Sequence, residues 1–150
     1  LPGGYAVHAL PRGLVEGAAS AVITPGELTT VALEAAVAPA ATASAREQLD
    51  AYATACTQPA AAVPANCGIR VPWAADLAAL SSIAYRVERL PTVALAEDAA
   101  TFAATDGIVV ATATGPTRDG GTGTFTYRTD DWALRGTITF SGNEMVLAVG

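Results

Sequence analysis

The sequence predicts an α+β fold, in which an antiparallel meander sheet is covered by one main helix and preceded by a short β module. Three observations indicate this. One segment near residue 50 has apolar residues at helical spacing, whereas the second half of the chain alternates apolar and polar residues with a period of two. The first third holds only short strand candidates between turns. A helix followed by a run of strands is typical of α+β domains.

The N-terminal third is expected to form short β structure. Residues 5–10 are a strand candidate, and the turn residues 24–26 precede a second candidate at residues 28–33. We therefore expect residues 1–38 to be a small β module and residues 39–150 to be the helix and sheet domain. Alternatively, the whole chain is a single domain.

A helix is predicted to follow a low-complexity hinge at residues 39–43. Ser44 and Glu47 have the spacing of a capping box, in which the two side chains satisfy free N–H groups of the first turn. An apolar stripe then recurs at helical spacing, formed by Ala45, Leu49, Tyr52 and Cys56. The helix should end near Cys56, because Pro59 blocks its continuation.

After residues 72–80, which suit either a short helix or a buried connection, the pattern changes to strands and turns. Strands are predicted at residues 83–87, 93–95, 108–113, 122–128, 132–140 and 144–149. Turns are predicted at residues 106–107, 118–121, 129–131 and 141–143. One sheet face is polar, with Thr124, Thr126, Arg128, Thr137 and Thr139. The other face holds Phe125, Tyr127, Leu134, Ile138 and Phe140.

Composition and charge disfavour two classes of partner. The formal net charge is −6, and the eight basic residues are scattered along the chain, whereas nucleic acid binding needs clustered basic residues. The same charge disfavours an anionic membrane surface. No apolar run is long enough to span a bilayer, so we expect membrane association only through an anchor outside this segment.

Cys56 and Cys67 bracket a loop rich in proline and alanine, and an even cysteine count suggests a disulfide in an oxidising compartment. A metal site or a catalytic thiol is the alternative. Either would need further ligands or a base, and the lone histidine, His8, is distant in sequence. A structural disulfide is therefore favoured, and no metal or cofactor is expected.

Four other residues are candidate ligand contacts, although each has a structural alternative. Trp73 and Trp132 offer stacking surfaces for a sugar or peptide, but tryptophans are more often core anchors. Asp130 and Asp131 form a carboxylate pair in a turn-like context, without the spacing of a calcium loop. The glycine-rich residues 118–123 match neither phosphate-binding pattern and indicate a hairpin loop.

The segment around the cysteines also resembles a family. A helix ending in Cys56, the pair Asn66-Cys67 and the pattern Tyr85-x-Val-x-x-x-Pro91 resemble extracytoplasmic domains of actinobacterial membrane-anchored proteins of unknown function. The residues Leu1-Pro-Gly-Gly-Tyr5-Ala-Val7 resemble the PEGA-like β module that precedes them. The family often has Cys-Pro where this chain has Cys67-Gly68. The resemblance implies an outward-facing, anchored domain without catalytic activity.

The expected function is a non-enzymatic extracytoplasmic domain with a binding or spacer role at the cell envelope. Its partner would be a protein or an envelope component, and the protein would be secreted or anchored to the outer face of the cytoplasmic membrane. The alternative is a small-ligand or carbohydrate-binding domain, or a hydrolase that uses carboxylates in a cleft between helix and sheet.

Overall fold

The computed structural model describes residues 1–150 and has the predicted α+β fold, with five of its nine strands in one antiparallel sheet. The helix α1 spans Pro39–Cys56, and a 3-10 turn spans Trp73–Ala75. The strands are β1 Gly3–His8, β2 Val15–Glu16, β3 Ala18–Ile23, β4 Ala36–Val37, β5 Ser82–Arg89, β6 Thr92–Leu95, β7 Thr101–Pro116, β8 Thr122–Ser141 and β9 Glu144–Val149. No helix is long and apolar enough to cross a membrane.

The main sheet is built around two long strands, β7 and β8, which form an antiparallel hairpin. On its other side, β7 pairs with β5 along one half and with β6 along the other. The strand β9 pairs with only the C-terminal part of β8, from Gly136 to Ser141. The rest of β8 therefore forms an edge of the sheet.

Two predicted turns are β-bulges inside these long strands. The strand β7 has one extra residue between Ala104 and Gly107, and β8 has one extra residue between Thr129 and Trp132. Each bulge switches which residues face the core, so a single long strand resembles two short strands with a turn between them. The prediction of turns at residues 106–107 and 129–131 is therefore wrong. Asp106 has a φ of 63°, a left-handed dihedral that aspartate also adopts in turns.

The helix begins five residues earlier than predicted. Its first residue is Pro39, its N-cap is Ala38, and no side chain caps it. Proline suits this position because its φ is already helical and its missing N–H would have had no partner within the helix. The capping box at Ser44 and Glu47 is therefore wrong, whereas the predicted end at Cys56 is confirmed.

The core lies on one face of the sheet and has two coverings. The helix covers the half that holds β6, β9, the N-terminal part of β7 and the C-terminal part of β8. The irregular residues 57–80 cover the other half, where Leu77 and Ile83 pack against Ala111 and Ala113. The predicted facing of the sheet is confirmed, because the threonines of β8 are on its exposed side while Leu134 and Ile138 are buried.

The N-terminal residues form two small ribbons, in which β1 pairs with β3 and β2 pairs with β4. The strand predicted at residues 28–33 is wrong: this segment is irregular, Leu28 is 97% exposed, and none of its residues is fully buried. Leu14 and Val37 pack against the main core, and the amide of Ala38 donates to the carbonyl oxygen of Leu14 at 2.9 Å.

Candidate functional site

The last residue of α1, Cys56, is bonded to Cys67, as the sequence predicted, with 5.7 Å between their Cα atoms. Both cysteines are buried in the core that α1 forms with the sheet. The bond holds the intervening proline- and alanine-rich loop against the end of the helix. A buried structural disulfide indicates that the protein folds in an oxidising environment.

Trp132 lies under this loop and connects it to the sheet. Its side chain is fully buried, and its indole Nε1 donates a hydrogen bond of 2.7 Å to the carbonyl oxygen of Cys67. Trp132 is therefore a core anchor, and its prediction as a ligand contact is wrong because no stacking surface reaches solvent. Trp73 is half-buried in the 3-10 turn and packs against the Leu77 and Ile83 cluster.

The largest cleft, of about 520 Å³, lies where the chain leaves the disulfide loop. Three segments form its walls: residues 66–70, the bulge of β8 with the residues after it, and the end of β9. The hydroxyl of Thr129 donates to the carbonyl oxygen of Arg70 at 3.2 Å, which ties the first wall to the second. The cleft is therefore shaped by the disulfide loop and by the bulge.

The polar side chains of the cleft include two arginines, Arg70 and Arg135, and one carboxylate, Asp131. All three residues are exposed and take part in no ion pair or side-chain hydrogen bond within the chain. Guanidinium groups that are free of an internal partner can bind an oxyanion through two parallel N–H donors. The remaining carboxylate can accept a hydrogen bond from a donor on the same ligand.

Most of the other arginines are occupied within the fold. Three of them are ion-paired, namely Arg46, Arg86 and Arg128. Arg89 and Arg118 donate instead to backbone carbonyl oxygens. Only Arg12 shares the unpaired state of the two cleft arginines, and it lies far away in sequence in the N-terminal module.

The two neighbouring aspartates of the β8 bulge have different surroundings. Asp130 accepts a hydrogen bond of 2.7 Å from Nε of Arg128, which also pairs with Glu88. The separate hydrogen bond that Nη1 of Arg128 donates to Glu88 lowers the pKa of Glu88 below its usual value. Asp130 therefore belongs to an ion-pair network, and Asp131 alone faces the cleft. The structure separates the carboxylate pair that the sequence suggested.

The remaining chemical groups are dispersed. His8 is exposed on β1, and no group of three metal-ligating side chains is present. Hydrolysis by a pair of carboxylates requires two facing acids in one cleft. Each of the five main clefts is lined by at most one aspartate or glutamate.

Sequence reasoning missed both cleft arginines, since scattered arginines showed no local pattern. The one available signal was the position of Arg70. It lies three residues after Cys67 and therefore just outside the loop that the disulfide closes. Arg135 reaches the same cleft because residues 66–70 lie along β8, where Gly68 packs against the backbone of Ala133 and the hydroxyl of Thr129 donates to the carbonyl oxygen of Arg70. Comparison of the chain with family models, with curated proteins and with solved structures finds no match.

Proposed function

We propose that this chain is a non-enzymatic binding domain of the extracytoplasmic space, and that its ligand presents an oxyanion to Arg70 and Arg135. The observation that supports the proposal is that two arginines without internal partners line the largest cleft of an acidic chain. An acidic protein that leaves cations unpaired in one cleft attracts anions there and repels them elsewhere. The buried disulfide supports the extracytoplasmic location.

The cleft favours a ligand that carries both an anion and a hydrogen-bond donor. A guanidinium group binds a planar carboxylate or a phosphate through two parallel N–H donors. Asp131 would repel a compact anion but accepts a hydrogen bond from an amide N–H placed beside it. An N-acyl amino acid, or the end of a peptide, has both groups in adjacent positions. A protein or a peptide-containing envelope component would supply them.

The test is a titration of the isotope-labelled protein with N-acetyl-alanine, followed by NMR at the side-chain Nε–H groups of Arg70 and Arg135. We expect saturable shifts at both groups and at the amide of Gly68. The uncharged N-acetyl-alanine amide should give none. Inorganic phosphate is the second probe: stronger binding of phosphate than of N-acetyl-alanine would show that the oxyanion is a phosphate and would contradict the role of Asp131.

Three matched variants complete the test. Arg70→Gln and Arg135→Gln should each weaken binding of N-acetyl-alanine about tenfold or more, since a charge-assisted hydrogen bond contributes about 1.5–3 kcal/mol. Arg12→Gln removes the third unpaired arginine, outside the cleft, and should leave the affinity unchanged. The proposal would be overturned if no saturable shifts appeared up to about 20 mM N-acetyl-alanine. The affinity would then be too weak for a specific small-ligand site. An equal loss of affinity in Arg12→Gln would also overturn the proposal. Binding would then reflect a general attraction of arginines for anions and not a site in the cleft.

A further inference from the structure

We infer that the open edge of β8 binds an extended segment of a partner protein as an added strand, whose acidic end lies in the arginine cleft. This inference rests in part on the proposed function, because it uses the same two arginines. Its main support is independent and lies in the backbone of β8. A strand edge that has no neighbour presents N–H and C=O groups to any chain that can lie beside it.

The backbone groups on this edge follow from the geometry of the β7–β8 hairpin. The amide of Thr117 donates to the carbonyl oxygen of Gly121 at 2.9 Å, so the odd-numbered residues that follow in β8 point their backbone groups toward β7. The even-numbered residues before the bulge point theirs away from the sheet. These residues are Thr122, Thr124, Thr126 and Arg128.

The edge is free along its whole N-terminal part. The pairing with β9 begins only at Gly136, and the backbone of residues 122–134 makes no hydrogen bond outside the β7–β8 ladder. Thr124, Thr126 and Arg128 are exposed. Seven residues of extended chain measure about 23 Å, which is the length of an ordinary strand. The edge is therefore long enough for a full β ladder.

The edge leads directly into the cleft. Arg128 is its last residue, and the next residue, Thr129, is already a wall of the cleft beside Arg70. A segment paired along residues 122–128 therefore ends beside Arg70, where the cleft begins. Charge complementarity favours an acidic group at that end of the segment. A second copy of this chain is a poorer occupant, because each copy carries a net charge of −6.

The experiment uses the peptide acetyl-Thr-Val-Thr-Val-Thr-Val-Glu as its probe, whose C-terminal glutamate reaches the cleft when the peptide pairs parallel to β8. Its counterpart ends in glutamine amide. Hydrogen exchange is measured by NMR at the amides of Thr124, Thr126 and Arg128. We expect saturating peptide to slow exchange at these amides about tenfold or more, because each would acquire a carbonyl partner. The glutamine amide peptide should bind about tenfold more weakly than the acidic peptide, and Arg70→Gln should abolish that difference.

Two variants of residue 126 separate the backbone from the side chain. Thr126→Pro removes an edge N–H while the ladder to β7 stays intact, and edge strands tolerate proline at such positions. It should weaken peptide binding about tenfold, whereas Thr126→Ala, which keeps the N–H, should not. Peptides N-methylated on all valines or on all threonines repeat the test without changing the protein. One methylated peptide should lose binding, and the other should retain it, because alternate residues face β8.

The two proposals fail in different ways. A cleft that does not bind N-acetyl-alanine overturns the proposed function. Edge amides that stay unprotected at saturating peptide, in a chain that still binds N-acetyl-alanine, overturn the strand addition. Equal peptide binding by Thr126→Pro and Thr126→Ala overturns it too. If the free protein forms a concentration-dependent dimer that Thr126→Pro abolishes, and the peptide has no effect, the occupant is a second copy and the inference is wrong.

Discussion

The indole Nε1 of Trp132 and the carbonyl oxygen of Cys67 are joined by a buried hydrogen bond of 2.7 Å. This bond connects the β8 bulge to the disulfide loop directly beneath the cleft. Cys67 precedes the wall residue Gly68, and Trp132 precedes Ala133 on the opposite wall. The two walls are therefore fixed to each other by a side chain that itself never reaches the cleft.

The first prediction concerns this bond. Trp132→Phe should lower the free energy of unfolding by about 2–4 kcal/mol, because it leaves a cavity and a buried carbonyl oxygen without a donor. Urea unfolding followed by circular dichroism measures the loss. Trp73→Phe is the matched control: Trp73 is half-buried and its indole makes no hydrogen bond, so we expect a loss below about 1 kcal/mol. Similar losses in both variants would contradict a special role for the Cys67 contact.

The second prediction concerns the disulfide. The double variant Cys56→Ala and Cys67→Ala should be less stable by about 3 kcal/mol, because the sequence separation of 11 closes a short loop in the unfolded chain. Urea unfolding of the parent protein with and without reductant should give the same difference. The reductant should have no effect on the double variant. A parent protein whose unfolding midpoint does not respond to complete reduction would refute the stabilising role.

The sequence predicted those elements whose cause is local. The end of α1 at Cys56 and the hairpin turn at residues 118–121 depend on neighbouring residues, and both were predicted correctly. The bulge in β7 was missed because Asp106, which adopts a positive φ of 63° there, is a residue type that adopts the same dihedral in turns. Only the partner strand, β8, distinguishes the two.

The cleft could not have been predicted for a related reason. Arg70 and Arg135 are 65 residues apart and line one cleft because the residues after the disulfide pack against β8, a contact that leaves no spacing pattern in the sequence. The start of α1 was mispredicted for the opposite reason, because a local signal was present but the helix does not begin there. Ser44 and Glu47 form a good local capping signal, but Pro39 begins the helix five residues earlier, in an alanine-rich segment of high helix propensity.

The third prediction is a pH dependence at Tyr127. Desolvation, together with the hydrogen bond of 2.7 Å that the phenol donates to Asp76, raises the pKa of Tyr127 to about 12. The folded state therefore holds the proton more tightly than the unfolded state, whose value is near 10.0. The resulting stability is fully present below pH 10 and should disappear between pH 10 and about 12.

Urea unfolding at several pH values across this window measures the effect. The variant Tyr127→Phe should show a shallower decline of stability with pH than the parent protein, because it lacks the phenolic proton. In Asp76→Asn the pKa of Tyr127, followed by tyrosinate absorbance, should fall below that of the parent while remaining raised by desolvation. An unchanged slope in Tyr127→Phe would show that another group controls the alkaline transition.

The last prediction compares two glycines of nearly equal backbone conformation. Gly68 has a φ of +64° and Gly142 a φ of +62°, so alanine at either position carries the same dihedral cost of about 1 kcal/mol. A Cβ at Gly68 would lie only 2.0 Å from the carbonyl oxygen of Ala133, across the floor of the cleft, whereas a Cβ at Gly142 meets nothing within 4 Å. Gly68→Ala should therefore destabilise the protein by about 3 kcal/mol or more and displace the cleft amides. Gly142→Ala should destabilise it by about 1 kcal/mol and leave the cleft amides unchanged.

Urea unfolding measures the two losses of stability, and NMR of the amides of Asn66 and Thr129 measures the displacement. Equal costs in the two variants would mean that residues 66–70 do not press against β8, and the cleft would then be wider and less fixed than described.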